Sequence, residues 1–447
     1  MAAPTEPAPE PGAEQPGAEQ PAFSVPPPPD VHPELRIANQ PLPESALDED
    51  AVKVLRRLEQ HGFEAYLVGG CIRDLLLGRT PKDFDIATSA RPAEMRRLFR
   101  NCRLIGRRFR LAHLHFRDHK IIEVATFRRA PTAEDDVTER HAAENLFGCA
   151  ADDALRRDFT INALMYDVSR RRILDWVDGL GDIDRRVIRT IGEPSRRFKE
   201  DPVRIVRAAK FSELLGLGFE ASMPSAMAEG AALIPTCAPA RLFEEIMKIL
   251  RSGAAARCLE RFGALGILPH VLPGLDKLRS STEPPANVWR TLARCDALAA
   301  RGRAFSDAVL IAAMLFEGCR GALAAEGDVA PLLDGALASL TAPIPFTRRH
   351  MSNARQILLA LRRLEEGPRT RRARRILSRD FAADALDLFE VTSEGEEALA
   401  VVAAWRNAGM PASAPEEGGE DRRPPRRRRS RRRRPSPGPS TEPTPNE

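Results

Sequence analysis

Apolar residues first fall into a regular pattern just after Asp48. Val52, Leu55 and Leu58 recur at three-residue steps, which predicts a helix over 51–61 with Gly62 as its C-terminal cap. Phe63 to Val68 reads as a strand, Gly69-Gly70 as a turn, and Ile72 to Leu77 as a short apolar helix. A second strand follows over Phe84 to Ala87. Ser89 and Pro92 then open a helix that runs to Phe99, since proline suits the first turn of a helix. Phe109 to Phe116 and Ile121 to Phe127 are rich in β-branched and aromatic residues and read as strands. Helices and strands are thus interleaved over about 100–150 residues, a common domain size.

From about Asp201 the apolar period becomes helical. Pro202 to Leu215, Ala240 to Leu250, Ala304 to Glu317, Met351 to Leu364 and Ala382 to Trp405 all read as helices, with no strand pattern between them. The expected fold class is α+β, a mixed α/β head with a small β-sheet over 46–190. A helical neck over 191–270 and a helical body over 271–408 follow it. Residues 1–45 read as a disordered leader: 13 of the 38 prolines precede Ser45, and GAEQPGAEQP is a tandem repeat. Residues 409–447 turn Pro-, Glu- and Arg-rich and read as a disordered tail.

Composition narrows the picture. The chain has 447 residues, 43% of them hydrophobic, as in a soluble globular protein. Aromatics make up only 5%, which argues against a single-strand platform built on many stacking rings. No run of about 18 apolar residues predicts a membrane span, and the N-terminus lacks a secretory pattern. The seven cysteines are scattered and never form CxxC, so a reducing, cytoplasmic setting is expected. Ten arginines between Arg422 and Arg434 more than account for the net charge of +5, so the rest of the chain is mildly acidic.

The first candidate chemistry lies at Gly69-Gly70, where a strand ends in a turn whose backbone N–H groups can approach a phosphate. Arg73, one turn on, can offer its fork to the same phosphates. Asp83 and Asp85, two apart on a strand, share a face and repel unless a cation joins them. Hard oxygen ligands of this kind suit Mg²⁺ shared with a triphosphate. An isolated pair of this type is more often a solvated turn, but here it follows the glycine turn. Glu123 interrupts the apolar run Ile121 to Thr126, either as a third acid or as an edge-strand residue facing water. Arg157 and Asp158 either hold a ribose or phosphate or pair with each other. Asp178-Gly179-Leu180-Gly181-Asp182 is a turn-forming element. Asp201 and Arg204 offer an acceptor and paired donors that complement the base edge of ATP, and Arg204 shares a helix face with Arg207. Taken singly, each of these is more often a surface salt bridge.

These motifs, in this order, resemble the class II nucleotidyltransferase family, which comprises tRNA nucleotidyltransferases and bacterial poly(A) polymerases. The resemblance covers residues near 48 through 270 and continues weakly to Trp405. It implies that Asp83 and Asp85 are the catalytic, Mg²⁺-binding pair, and that Gly70 and Arg73, with Gly69, contact the triphosphate. It adds Asp158 to the catalytic residues and makes Arg157, Arg204 and Arg207 nucleotide contacts. Asp201 with Arg204 would read the incoming base. The segment Leu104 to Leu114, then Ile121 to Arg128, and the arginine-rich tail resemble the poly(A) polymerase branch. That branch implies template-independent addition of AMP from ATP to RNA 3′ ends, with release of pyrophosphate and with neck and body holding RNA. The alternatives are a tRNA nucleotidyltransferase adding all or part of CCA, and a non-catalytic RNA-binding protein on the same fold. The intact acid pair argues against the last. Two departures from the family pattern are Cys71 beside the glycine turn and a linker between Arg128 and Asp158 shorter than in some relatives.

Overall fold

The structure, a computed structural model, describes residues 35–106, 111–131, 146–280, 288–342 and 346–409. Residues 1–34 of the expected leader and 410–447 of the expected tail therefore lie outside the described residues, as do residues 132–145 of the linker between Arg128 and Asp158. So do residues 107–110 of the branch-diagnostic segment.

Helix α1 (Glu49–Gln60) starts where Asp48 accepts hydrogen bonds from the backbone N–H of Asp50 and Ala51, both at 3.0 Å. Its buried face is Ala51, Val54, Leu55 and Leu58. The expected stripe through Val52 is therefore out of phase: a helix packs positions i, i+3, i+4 and i+7 together, and Val52 is left half-buried.

The head sheet is larger than the small sheet expected. It has eight strands: β1 (Arg36–Ala38), β2 (Ala65–Val68), β3 (Asp85–Thr88), β4 (Cys102–Ile105), β5 (Leu111–His115), β6 (Ile121–Thr126), β7 (Met165–Asp167) and β8 (Arg172–Asp175). Their order is β1-β8-β7-β2-β3-β6-β5-β4, with β3 and β6 parallel and every other pair antiparallel. Helices α2 (Gly70–Leu76) and α3 (Pro92–Leu98) follow β2 and β3 directly.

The stretch expected as leader already carries order at its end. β1 pairs with β8 at the sheet edge, and Leu42 is buried with its N–H donating to the Tyr166 hydroxyl at 3.1 Å. Leu35 to Ala38 are apolar enough to complete an edge, a signal hidden among the prolines. Strands β7 and β8 were likewise not foreseen, because each is only three or four residues long.

After helix α4 (Ala150–Leu155), the neck is built from α5 (Pro194–Glu200), α6 (Val203–Leu215) and α7 (Pro239–Leu250). One short parallel pairing, Val187–Ile188 with Gly218–Phe219, stitches it to the head, so the second half is not wholly free of strand. The body packs the helices Asp307–Ala324, Arg348–Glu365 and Ala382–Thr392 around one another. The run Ala382 to Trp405, expected as a single helix, is two: it breaks at Ser393 and Glu394, whose backbone is extended (ψ 140° and 137°), and resumes at Gly395. Trp405 ties the last helix down, with its indole N–H donating to the Leu364 carbonyl at 2.8 Å. One continuous apolar cluster runs from head to body. Among the described residues, no helix is long and apolar enough to cross a membrane, and the cysteines form no disulfide.

Candidate active site

Head and neck together bring the candidate residues to one cleft of about 730 Å³ between them. Gly69, Gly70, Arg73, Asp83, Asp85, Arg157, Asp158 and Arg207 all line it. A smaller hollow of about 210 Å³ holds Asp201, Arg204 and Arg241, and shares Asp158 and Arg207 with the cleft. A larger groove of about 1090 Å³ in the helical body contains none of the residues singled out, so size alone does not locate the chemistry.

Gly69 adopts φ +76°, a conformation in which a side chain is strained. A Cβ there would also stand 3.0 Å from Nη1 of Arg157, and one on Gly70 would stand 3.4 Å from Nη2 of Arg73. The glycines thus make room for two guanidinium groups beside the turn. Arg73 is buried, with Nε and Nη2 donating to Asp74 at 2.9 and 2.7 Å and Nη1 donating to Asn162 Oδ1 at 2.7 Å. Three of its five N–H groups are thereby used, leaving two for a ligand. Arg157 donates to the Asn162 carbonyl at 3.1 Å and to Asp153 at 3.0 Å. Cys71 is buried, its thiol donating to the Val68 carbonyl at 3.3 Å, and burial with the Asp85 charge pushes its pKa up to about 12. It is an inert packing group, not a nucleophile.

Asp85 is the first residue of β3, whereas Asp83 lies in the approach to it, so the two do not share a strand face as expected. They are nonetheless coupled. Burial, then the charges of Glu123 and Asp83, push the Asp85 carboxyl up to about 6, with Arg157 opposing them. Its side chain remains open to solvent at the cleft, so this is an acid on a protein floor with water above. Glu123 lies on β6, one residue before the pair Ile86–Val124, which sets it beside Asp85. β6 is interior to the sheet, so Glu123 is not on an edge strand, although its side chain is exposed to solvent as that alternative expected. Glu123 Oε1 lies 3.3 Å from His113 Nε2 across β5. Among the described residues no group of three such side chains closes round a metal position, and Glu123 acts on Asp85 by charge.

Arg157 and Asp158 do not pair with each other. Asp158 accepts from Asn162 Nδ2 at 3.0 Å and from Arg207 Nε at 2.7 Å, with Arg207 Nη2 in ion-pair contact at 2.6 Å. Burial opposes its charge, but Arg207, Asn162 and the Phe159 N–H more than offset this and hold the carboxyl below its ordinary range. Its oxygens are committed inside the protein. Arg207 also reaches Glu245 at 3.2 Å, and Glu245 is bonded to buried Lys210. Asp201 and Arg204, expected to face the base together, are each held by other partners within the protein. Asp201 receives two hydrogen bonds from Arg241, while Arg204 turns to the Arg197 carbonyl and Glu200.

Three contributors escaped the sequence reading. Asn162 joins Arg73, Arg157 and Asp158, yet its only signal was its place in the polar segment beginning at Arg156. Arg241 and Glu245 sit on α7, some 40 residues from their partners, and no local spacing marks them.

Residues 65–189 match the Poly A polymerase head domain, and residues 216–278 match the region described as "Probable RNA and SrmB- binding site of polymerase A". The chain is 48% identical over 215 residues to poly(A) polymerase I of Salmonella typhi, a match covering 46% of each protein. It is 37% identical over 228 residues to the CCA-adding enzyme of Geobacillus kaustophilus, covering 51% of this chain and 55% of that one. The matches thus span about half the length of these curated relatives. The crystal structure of the Bacillus stearothermophilus CCA-adding enzyme in complex with CTP is similar with a TM-score of 0.53 and 26% identity. That similarity covers 80% of this chain and 82% of that one. The head region over 65–189 and the segment 216–278 are thus homologous to the corresponding regions of bacterial poly(A) polymerase I and CCA-adding enzymes.

Proposed function

We propose that this chain is a template-independent polynucleotide adenylyltransferase, which adds AMP from ATP to RNA 3′ ends and releases pyrophosphate. The observation that carries the reading is the meeting of three things in one cleft: the two coupled acids, the two guanidinium groups at the glycine turn, and the adjoining hollow of Asp201 and Arg241. The greater identity to poly(A) polymerase I supports the choice of branch. The scattered cysteines support a cytoplasmic setting, where such an enzyme would act in RNA processing and decay.

The donor set fits Mg²⁺. Asp83 and Asp85 supply hard oxygens, and a cation offsets the burial and the Glu123 and Asp83 repulsion that raise the Asp85 pKa. Two carboxylates suffice, because Mg²⁺ keeps waters and takes phosphate oxygens for its remaining positions. Bound there, the metal would activate the attacking hydroxyl and steady charge on the leaving pyrophosphate. The chain's own residues do the positioning. Arg73 and Arg157 orient the triphosphate beside Gly69 and Gly70, and their fixed partners Asp74, Asn162 and Asp153 leave little to reorganise. Asp158 holds Arg207 and Asn162 in place, which makes it a positioning residue. Arg204 and Arg207 face the nucleotide from the neck, and Asp201 accepts from the exocyclic amine of the base.

RNA binding is assigned to neck and body. Exposed Arg363, Arg369, Arg371, Arg375 and Arg379 form a basic run on the body surface suited to phosphate contact. The 37% identity to a CCA-adding enzyme supports a second reading, addition of a short defined end to tRNA. Incubation of the full chain with Mg²⁺, either labelled ATP or labelled CTP, and either generic RNA or tRNA lacking its end separates them. Long A tails on generic RNA are expected. A short addition confined to tRNA favours the second reading, and no incorporation from any nucleotide contradicts both.

A further inference from the structure

Phe211 has no task in the chemistry described so far, yet it lies at its centre. It sits on α6 and lines the cleft half-buried, while its helix neighbours Ala208, Ala209, Ser212 and Leu215 are buried. Three cations surround its ring. The guanidinium carbon of Arg73 is 4.9 Å from the ring centroid, that of Arg207 is 5.3 Å away, and Lys210 Nζ is 4.8 Å away. The buried ring of Phe159 meets it edge-on, at 6.0 Å and 90°.

These neighbours come from both parts of the molecule. Arg73 and Phe159 belong to the head, and Arg207 and Lys210 share α6 with Phe211 in the neck. An aromatic face carries partial negative charge, so it attracts a cation without needing a carboxylate and without consuming an N–H donor. That matters for Arg73. Asp74 and Asn162 hold its edges in the guanidinium plane, but neither bears on its face. Phe211 supplies a contact of a different kind and leaves the remaining N–H groups available to a ligand. The ring also stands among like charges: Arg73 is paired with Asp74, and Arg207 and Lys210 with Glu245.

We propose that Phe211 is a positioning residue for the nucleotide: its ring fixes the Arg73 guanidinium toward the triphosphate and couples that arm of the head to the neck helix that carries Arg204 and Arg207. This rests on the reading of Arg73 as a triphosphate contact. The aromatic ring itself is required, so tyrosine substitutes for it and an aliphatic residue of similar bulk does not.

The full-length protein with Phe211→Leu or Phe211→Tyr tests this, with dissociation of labelled ATP measured by equilibrium dialysis without RNA, and KM for ATP and kcat measured on an RNA primer. Phe211→Leu is expected to weaken ATP binding and raise its KM by about fivefold, with a smaller change in kcat, while Phe211→Tyr stays within about twofold of the parent. Thermal melting accompanies each variant, so that a folding defect is seen as such. Equal ATP affinity in the leucine and tyrosine variants overturns the proposal, as does a leucine defect that tracks a matching loss of melting temperature in both. A parent protein that binds ATP but adds no AMP strikes the adenylyltransferase reading alone, because the leucine–tyrosine contrast in ATP affinity still decides the role of Phe211.

Discussion

Arg241 grips Asp201 through two hydrogen bonds, Nη1 to Oδ1 at 3.0 Å and Nη2 to Oδ2 at 2.7 Å. Each carboxylate oxygen takes one donor of the same guanidinium, a geometry that fixes orientation as well as position. Asp201 comes from the end of α5 and Arg241 from α7, so the contact ties two neck helices at the rim of the smaller hollow.

The grip on Asp201 bears on base choice. Adenine and cytosine each present an amino donor next to a ring-nitrogen acceptor, so a mobile acceptor serves both. An acceptor held at a fixed depth favours the base whose edge reaches it. Arg241→Ala is expected to lower the ratio of AMP to CMP incorporation by about tenfold, the scale of one charge-assisted contact. Parallel initial rates with ATP and CTP check this.

Glu245 carries an acid-dependent share of stability. Burial opposes its charge, but Lys210 and then Arg207 more than offset that and hold its carboxyl at about 2, against an ordinary 4.5. A depressed acid contributes stability that is fully present above its unfolded pKa and is lost as pH falls through the folded value. Glu245→Gln also leaves the buried Lys210 ammonium without its carboxylate, at a cost of about 3 kcal/mol near neutral pH. Denaturant unfolding from pH 7 downward should show the gap between parent and variant constant to about pH 5 and closing toward pH 2.

Asp85 works in the opposite direction. Its pKa of about 6 lies above the ordinary 3.8, so its ionised form is disfavoured in the folded protein. Stability falls as pH rises from about 4 to about 6 and the penalty is complete above that. Asp85→Asn is expected to raise the melting temperature of the metal-free protein at pH 7.5 and to leave it little changed at pH 4. Added Mg²⁺ should stabilise the parent and not the variant.

The basic run on the body gives a salt-dependence test. Replacing exposed Arg363, Arg371 and Arg375 by glutamine should weaken single-stranded RNA binding, and should flatten the slope of log affinity against log salt by about 2. Filter binding across a salt series, without ATP, measures it. ATP affinity should not move.

The central run of head elements, α1, β2, α2, β3 and α3 with β5 and β6, and the residues that line the cleft were legible because they are local. A strand, a Gly-Gly turn and an arginine one helical turn on are fixed by adjacent residues, and so is an acid pair two residues apart. What spacing concealed was pairing. Asp201 and Arg204 are near in sequence, but Arg204 folds back onto Arg197 and Glu200, and Asp201 finds a donor 40 residues away. Asn162 lies close in sequence to Arg157 and Asp158, but its third partner, Arg73, meets it only in space, and that contact is what gives it a place in the site. Short strands such as β1 gain their stability from the sheet edge they complete, which no local pattern reports.

Asp83 and Asp85 are tested most directly by AMP incorporation into a short RNA with ATP and Mg²⁺, comparing the full-length protein with Asp83→Ala and Asp85→Ala. The parent should extend the RNA with adenylates, and each variant should fall by more than about a thousandfold while melting no lower than the parent by more than a few degrees. Incorporation at the parental rate in either variant would contradict a metal-holding acid pair at the foot of this cleft.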